Sequence, residues 1–156
     1  MTYDEIKTAA LTIVDRSDAG TIALMDTFIR MTEAKINRFL RDNNMTIVAS
    51  TDIVQGQEYY TLPDGFRTLR SVKMLPITTV NGSGIPLALV NIEQFTNLIQ
   101  NSSLDNFYSI VGNSLRIYPL KEDHYLEITY YGEIVDLTNI NTSNWISINH
   151  PDCYIY

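Results

Sequence analysis

The hydrophobic period of this chain changes once, near residue 45. Before that point apolar residues recur every three or four positions, and after it every second one. A helix and a strand bury different spacings of side chains, so the change divides the sequence into a helical part and a β-rich part. Thr2 and Glu5 stand at the spacing of a capping box, which predicts a first helix carrying Tyr3, Ile6, Ala10 and Ile13 on one face. Ser17-Asp18-Ala19-Gly20 interrupts the pattern, and a second helix is expected from about 21 to 42. Its stripe is Met25, Phe28, Ile29, Thr32, Ile36, Phe39 and Leu40. With so short a connection the two helices are expected to form a hairpin.

Beyond residue 45, segments 46–54, 58–62, 66–75, 86–90, 107–111, 114–119 and 125–133 read as strands. The breaks are Gln55-Gly56, Pro63-Asp64-Gly65, Asn81-Gly82-Ser83-Gly84, Gly112-Asn113 and Lys121-Glu122-Asp123. Gly112-Asn113 suits a tight hairpin turn, because both residues tolerate positive φ. Asn91 with Gln94 predicts a short inserted helix through about residue 100. In 125–131, Leu126, Ile128 and Tyr130 alternate with Tyr125, Glu127, Thr129 and Tyr131, giving one core face and one tyrosine-rich polar face. The expected class is α+β: an N-terminal helical hairpin, 1–43, and an antiparallel β-rich body, 44–156, sandwich or barrel-like, with the short inserted helix, together one structural domain.

A chain of 156 residues can bury about two-thirds of its unfolded surface without a metal or disulfide staple. Its one cysteine, Cys153, has no intrachain partner, which fits a reducing compartment. The first residues lack the basic start and apolar run of an export signal, and no stretch nears the ~18 apolar residues of a membrane span. Charge is uneven. Residues 1–43 hold six Lys/Arg against seven Asp/Glu, and 44–156 hold five against eleven. The acidic β-rich part repels phosphate, which argues against duplex DNA as a tight ligand.

The residues for chemistry do not assemble in the sequence. His124 and His150 are far apart, and Cys153 near His150 has no third ligand at metal spacing. No phosphate loop or nucleophile elbow occurs. Glu58, Asp64, Glu127 and Glu133 read as ordinary surface acids, although their convergence in space is left open. No catalytic, cofactor or metal residue is assigned. On the second helix, Arg30, Arg38 and Arg41 fall in one arc around Ala34, with Lys35 at its edge. Two readings stand: a solvated face balanced by Asp26, Glu33 and Asp42, or a face that meets an acidic partner. Nine of ten tyrosines follow residue 44, which suits strands and suits contact surfaces equally.

Several phrases, in order, resemble a known family. They are Tyr3-Asp4-Glu5-Ile6-Lys7, Ala34-Lys35-Ile36-Asn37-Arg38, Gly56 through Phe66, Leu69-Arg70-Ser71-Val72, Leu115-Arg116-Ile117-Tyr118-Pro119, Ile128-Thr129-Tyr130-Tyr131-Gly132, and Asn144-Trp145 followed by His150-Pro151-Asp152-Cys153-Tyr154-Ile155-Tyr156. Together they resemble the head-to-tail adaptor (connector) proteins of tailed bacteriophages, similar in role to tail tubular protein A, over nearly the whole chain. The resemblance implies a virion structural protein without enzymatic activity, assembled in the host cytoplasm into a ring of twelve copies between portal and tail. Its implied partners are copies of itself, the portal protein, and nozzle or tail-tube proteins, with DNA passing in transient contact. In proteins it resembles, the His-Pro-Asp phrase opens a long C-terminal helix, so a truncated C-terminal helix is expected here. The expected interface residues are Arg30, Lys35, Arg38 and Arg41 against Glu127, Glu133 and Asp136, with Trp145 anchoring a polar loop, 139–149. The alternative is a small β-rich module that binds carbohydrate or another ligand, with Trp145 and tyrosines as its stacking platform.

Overall fold

The computed structural model describes residues 1–78, 84–101 and 104–155, and within them two compact units, one of residues 1–45 with 133–156 and one of 46–132. The turn signal at 81–83 lies outside the described residues.

In the first unit, helix α1 (Tyr3–Ile13) begins with the full capping box: Thr2 accepts from the Glu5 amide while Glu5 reaches back to Thr2 N–H. Helix α2 is Ala19–Phe39. It starts two residues before the sequence pattern predicts, because Asp18 is its cap and accepts from Thr21 N–H at 2.8 Å. The two helices meet through a polar knot: Lys7 Nζ lies 3.5 Å from Asp26 and over the Tyr3 ring. Burial and a hydrogen bond to Asp26 push the Tyr3 hydroxyl up to about 12, so it remains a donor. The last element is not the predicted loop. Asn144 caps a short helix, α4 (Trp145–Asn149), through Ser147 N–H, and Pro151–Tyr154 follows as a 3-10 turn with proline in its first turn.

The second unit is a β-sandwich. Its strands are β1 (Thr46–Asp52), β2 (Tyr59–Thr61), β3 (Phe66–Pro76), β4 (Ile85–Pro86), β5 (Ala88–Leu89), β6 (Phe107–Val111), β7 (Ser114–Tyr118) and β8 (His124–Gly132). One sheet has the order β1-β8-β3-β4, the other β2-β7-β6-β5. The central strand β8 alternates buried and half-buried residues as its sequence predicts. Leu126, Ile128 and Tyr130 join Val72 and Met74 from the first sheet with Tyr60, Tyr108, Leu115 and Ile117 from the second in one core. Gly112, at φ 60°, closes the β6–β7 hairpin. The fold is not wholly hairpins, since β5 and β6 run parallel. A parallel pair needs a crossover, and helix α3 (Ile92–Gln100) supplies it. Phe95 of α3 meets Phe107 edge-on at 5.0 Å, and Phe107 stacks on Tyr118 at 5.2 Å. Arg116 lies over Phe95 and grips Glu58 at 2.7 and 2.8 Å. The β6–β7 hairpin is thus covered on one face by the facing sheet and on the other by α3. Phe107→Ala is expected to cost roughly 3–5 kcal/mol in urea unfolding. A loss below about 1 kcal/mol would show that α3 does not hold that sheet.

Candidate assembly surface

Helix α2 does not bury the stripe its pattern predicts. Met25, Ile29, Glu33 and Asn37 face inward, whereas Phe28, Phe39 and Leu40 are exposed, Phe39 at 72%. Residues spaced by four step around the helix by about 40° each, so the buried face is rotated roughly 60° from the expected one. The cause is hydrogen bonding. After β8 the chain runs without regular secondary structure, and its backbone N–H groups need acceptors once buried. Asn37 Oδ1 accepts from Ile134 N–H at 2.9 Å, and Glu33 Oε1 from Leu137 N–H at 2.8 Å. The Tyr154 hydroxyl also donates to Glu33 Oε1, and Asn144 Nδ2 donates to the Tyr154 hydroxyl and to Val135 O. Met1 ammonium bonds to Ser147 O, and Tyr3 N–H to Thr142 O, so α1 holds the same segment. This corrects the reading of Glu33 as a solvated counter-charge to the arginines.

Between the C-terminal half of α2 and this clasped segment lies a groove of about 760 Å³. Lys35, Ile36, Phe39 and Leu40 form one wall, and Trp145, His150, Cys153 and Ile155 line the other. Trp145 is half-buried at the first position of α4, against the edge of His150, and not on a loop. Lys35 and Trp145 therefore share one groove. Arg30 and Arg38 are exposed on α2, and Arg41 is exposed just past the end of the helix. Arg41 has a local task as well: its Nη1 donates to Asn37 O at 3.1 Å and Leu40 O at 2.6 Å, satisfying carbonyls left open where the helix ends. Glu133 and Asp136 are exposed on the clasped segment, and Glu127 is half-buried on the outer face of β8 in the other unit. Glu58 is engaged with Arg116, Asp64 stands exposed before β3, and Glu127 and Glu133 belong to different units. Among the described residues, no group of three His, Cys, Asp or Glu side chains is placed to hold a metal, and no helix is long and apolar enough to cross a membrane.

Sequence reasoning missed Phe28 and Phe39 as exposed, and Glu33 and Asn37 as buried. The available signal was the run Met25, Ile29, Glu33, Asn37 at strict intervals of four.

Glu33 is 1% exposed, and its Oε2 has no hydrogen-bond partner. Burial holds its carboxyl above the usual range, Asp136 adds to that, and the Leu137 N–H and Arg30 pull the other way. A raised folded value means that stability from this group is fully present below its unfolded value of about 4.3 and is lost as pH rises through the folded one. Glu33→Gln cannot ionise. Its melting temperature is expected to gain on the parent between pH 4 and 7, and parallel pH profiles would contradict the assignment. Glu33→Ala leaves Leu137 N–H without its acceptor and is expected to cost roughly 2–4 kcal/mol.

A family model described as SU10 adaptor protein matches residues 1–156, the whole chain. No curated protein matches it.

Proposed function

The chain belongs to the SU10 adaptor protein family, and from that premise we propose that it is a virion structural protein that forms a ring between the portal and the tail of a bacteriophage. The family match carries the reading. Its mechanism is mechanical and needs no catalytic step. Copies join through unlike faces, which close into a ring when the rotation per copy is right. One face is the outer side of α2, where Phe28, Phe39 and the groove supply apolar surface beside Lys35 and, next to it, Arg38, with Arg30 further round the same helix. Exposed apolar surface next to arginines is what a contact face requires. Trp145 belongs to the same groove, and the acidic counterparts on a neighbouring copy are Glu133 and Asp136 of its clasped segment and, separately, Glu127 of its β8. Portal and tail proteins cover what the ring leaves open, and twelve copies surround a channel. The acidic balance of the chain keeps passing DNA from adhering to that channel.

Electron microscopy of the purified chain alone and mixed with portal tests the reading: rings on portal are expected, and a chain indifferent to portal would reject it. Point variants test the face. Arg30→Gln and Arg38→Gln should change the stability of the free chain by no more than about 0.5 kcal/mol, since they are solvated there. In the assembly each leaves a carboxylate unpaired and is expected to weaken joining by about 2 kcal/mol or more. Arg41→Gln should also loosen the end of α2. Normal joining by all three variants would remove the arginines from the interface.

A further inference from the structure

The β-sandwich has an open side. Among the described residues strand β1 pairs only with β8 and ends its sheet, so along its seven residues alternate N–H and C=O groups point away from any described strand. Ile47, Ala49 and Thr51 stand opposite Tyr130, Ile128 and Leu126 and so point to the core side. Ile47 is nevertheless 42% exposed, while Leu126 is 2%. Beneath them a cleft of about 180 Å³ opens between β1 and β2, with Leu115, Leu126 and Ile128 in its lining. The usual protections of an edge are missing from β1. It has no proline, no lysine and no bulge in its pairing, and its one charge is Asp52 at the end.

We propose that a second copy of this chain pairs with β1 through its own β1, antiparallel and centred on Ala49. The occupant is fixed by charge and register. In that pairing Thr46 stands opposite Asp52 of the other copy, Ile47 opposite Thr51, Val48 opposite Ser50, and Ala49 opposite itself. Directly opposed residues share a face, so each Ile47, Ala49 and Thr51 meets its counterparts on the core side, at the mouth of the cleft. On the outer face, Asp52 of each copy comes opposite the other's Thr46. At Thr46 a cation is already in place: Arg70 reaches from β3 across the Tyr131 ring, 5.2 Å from its centroid, and donates to Thr46 Oγ1 at 2.9 Å. The symmetric register therefore delivers a carboxylate to a guanidinium at both ends of the junction, and a slip by one residue turns every side chain to the wrong face. The contact is isologous and closes at two copies. It is a state of the free chain, independent of the ring proposed above, whose joints use unlike faces.

Sedimentation of the full chain over a concentration series tests this directly. A reversible dimer is expected, with amides of 46–52 slowing in hydrogen exchange as the dimer fills. Asp52→Lys is expected to weaken the dimer at least about tenfold, as loss of a close interfacial charge pair does. Arg70→Glu should act likewise, and the double variant Asp52→Lys/Arg70→Glu should recover most of the affinity. Because Arg70 also makes contacts within its own chain, each variant is melted alone, and Asp52→Lys, at the exposed strand end, should melt as the parent. A chain that stays monomeric, a dimer indifferent to Asp52→Lys, or an assembly whose β1 amides gain no protection would overturn the proposal.

Discussion

Two polar side chains on one helix, Glu33 and Asn37, decide how the first unit is arranged. Each spends its acceptor on a backbone N–H of the segment that continues from β8, and those bonds are made in a buried setting where an unpaired donor is costly. Tyr154 and Asn144 extend the same network to the last turns of the chain. The arrangement exchanges an apolar contact for a directional one. A hydrophobic stripe would accept the segment in many registers, whereas two acceptors four residues apart accept Ile134 and Leu137 in one.

The network also places the surface proposed as an assembly face. Once the Glu33–Asn37 side of α2 is turned inward, Phe28 and Phe39 must turn outward, and the groove between α2 and the clasped segment comes with them. Arg38 lies next to it on the same helix, with Arg41 just past the helix end and Arg30 further round. The second unit contributes differently: its core and the α3 crossover make a sandwich, and among the described residues the outer edge of its seven-residue strand β1 has no strand beside it. An adaptor needs surface left over after folding, and both units leave some for identifiable reasons.

Much of this was legible in the sequence. Local signals sufficed for the capping box at Thr2, the Asn91 cap of α3, the Gly112-Asn113 hairpin and the alternation of β8, because each is determined within a few residues. The inward turn of Glu33 was not, because its cause is an amide 104 positions away, and a glutamate on a helix reads as solvent-facing until its partner is known. The α4 helix was missed for a related reason. Its Asn, Ser and Thr content reads as loop, yet Asn144 and Ser147 use the same polarity to cap each other and to bind Tyr154. The parallel pairing of β5 with β6 was also hidden, since a two-residue strand carries no period. The proposed face was legible only in part: the arginines show in their arc, but the exposed phenylalanines do not, because their spacing reads as core.

The central claim is that the Glu33 and Asn37 bonds hold the segment after β8 in place. Native-state hydrogen exchange of the Ile134 and Leu137 amides measures it residue by residue. Both amides are predicted to exchange nearly as slowly as the α2 core, and Asn37→Ala to speed Ile134 far more than it speeds the amides of β8. Fast exchange of both amides in the parent chain, at the rate of an exposed loop, would contradict it.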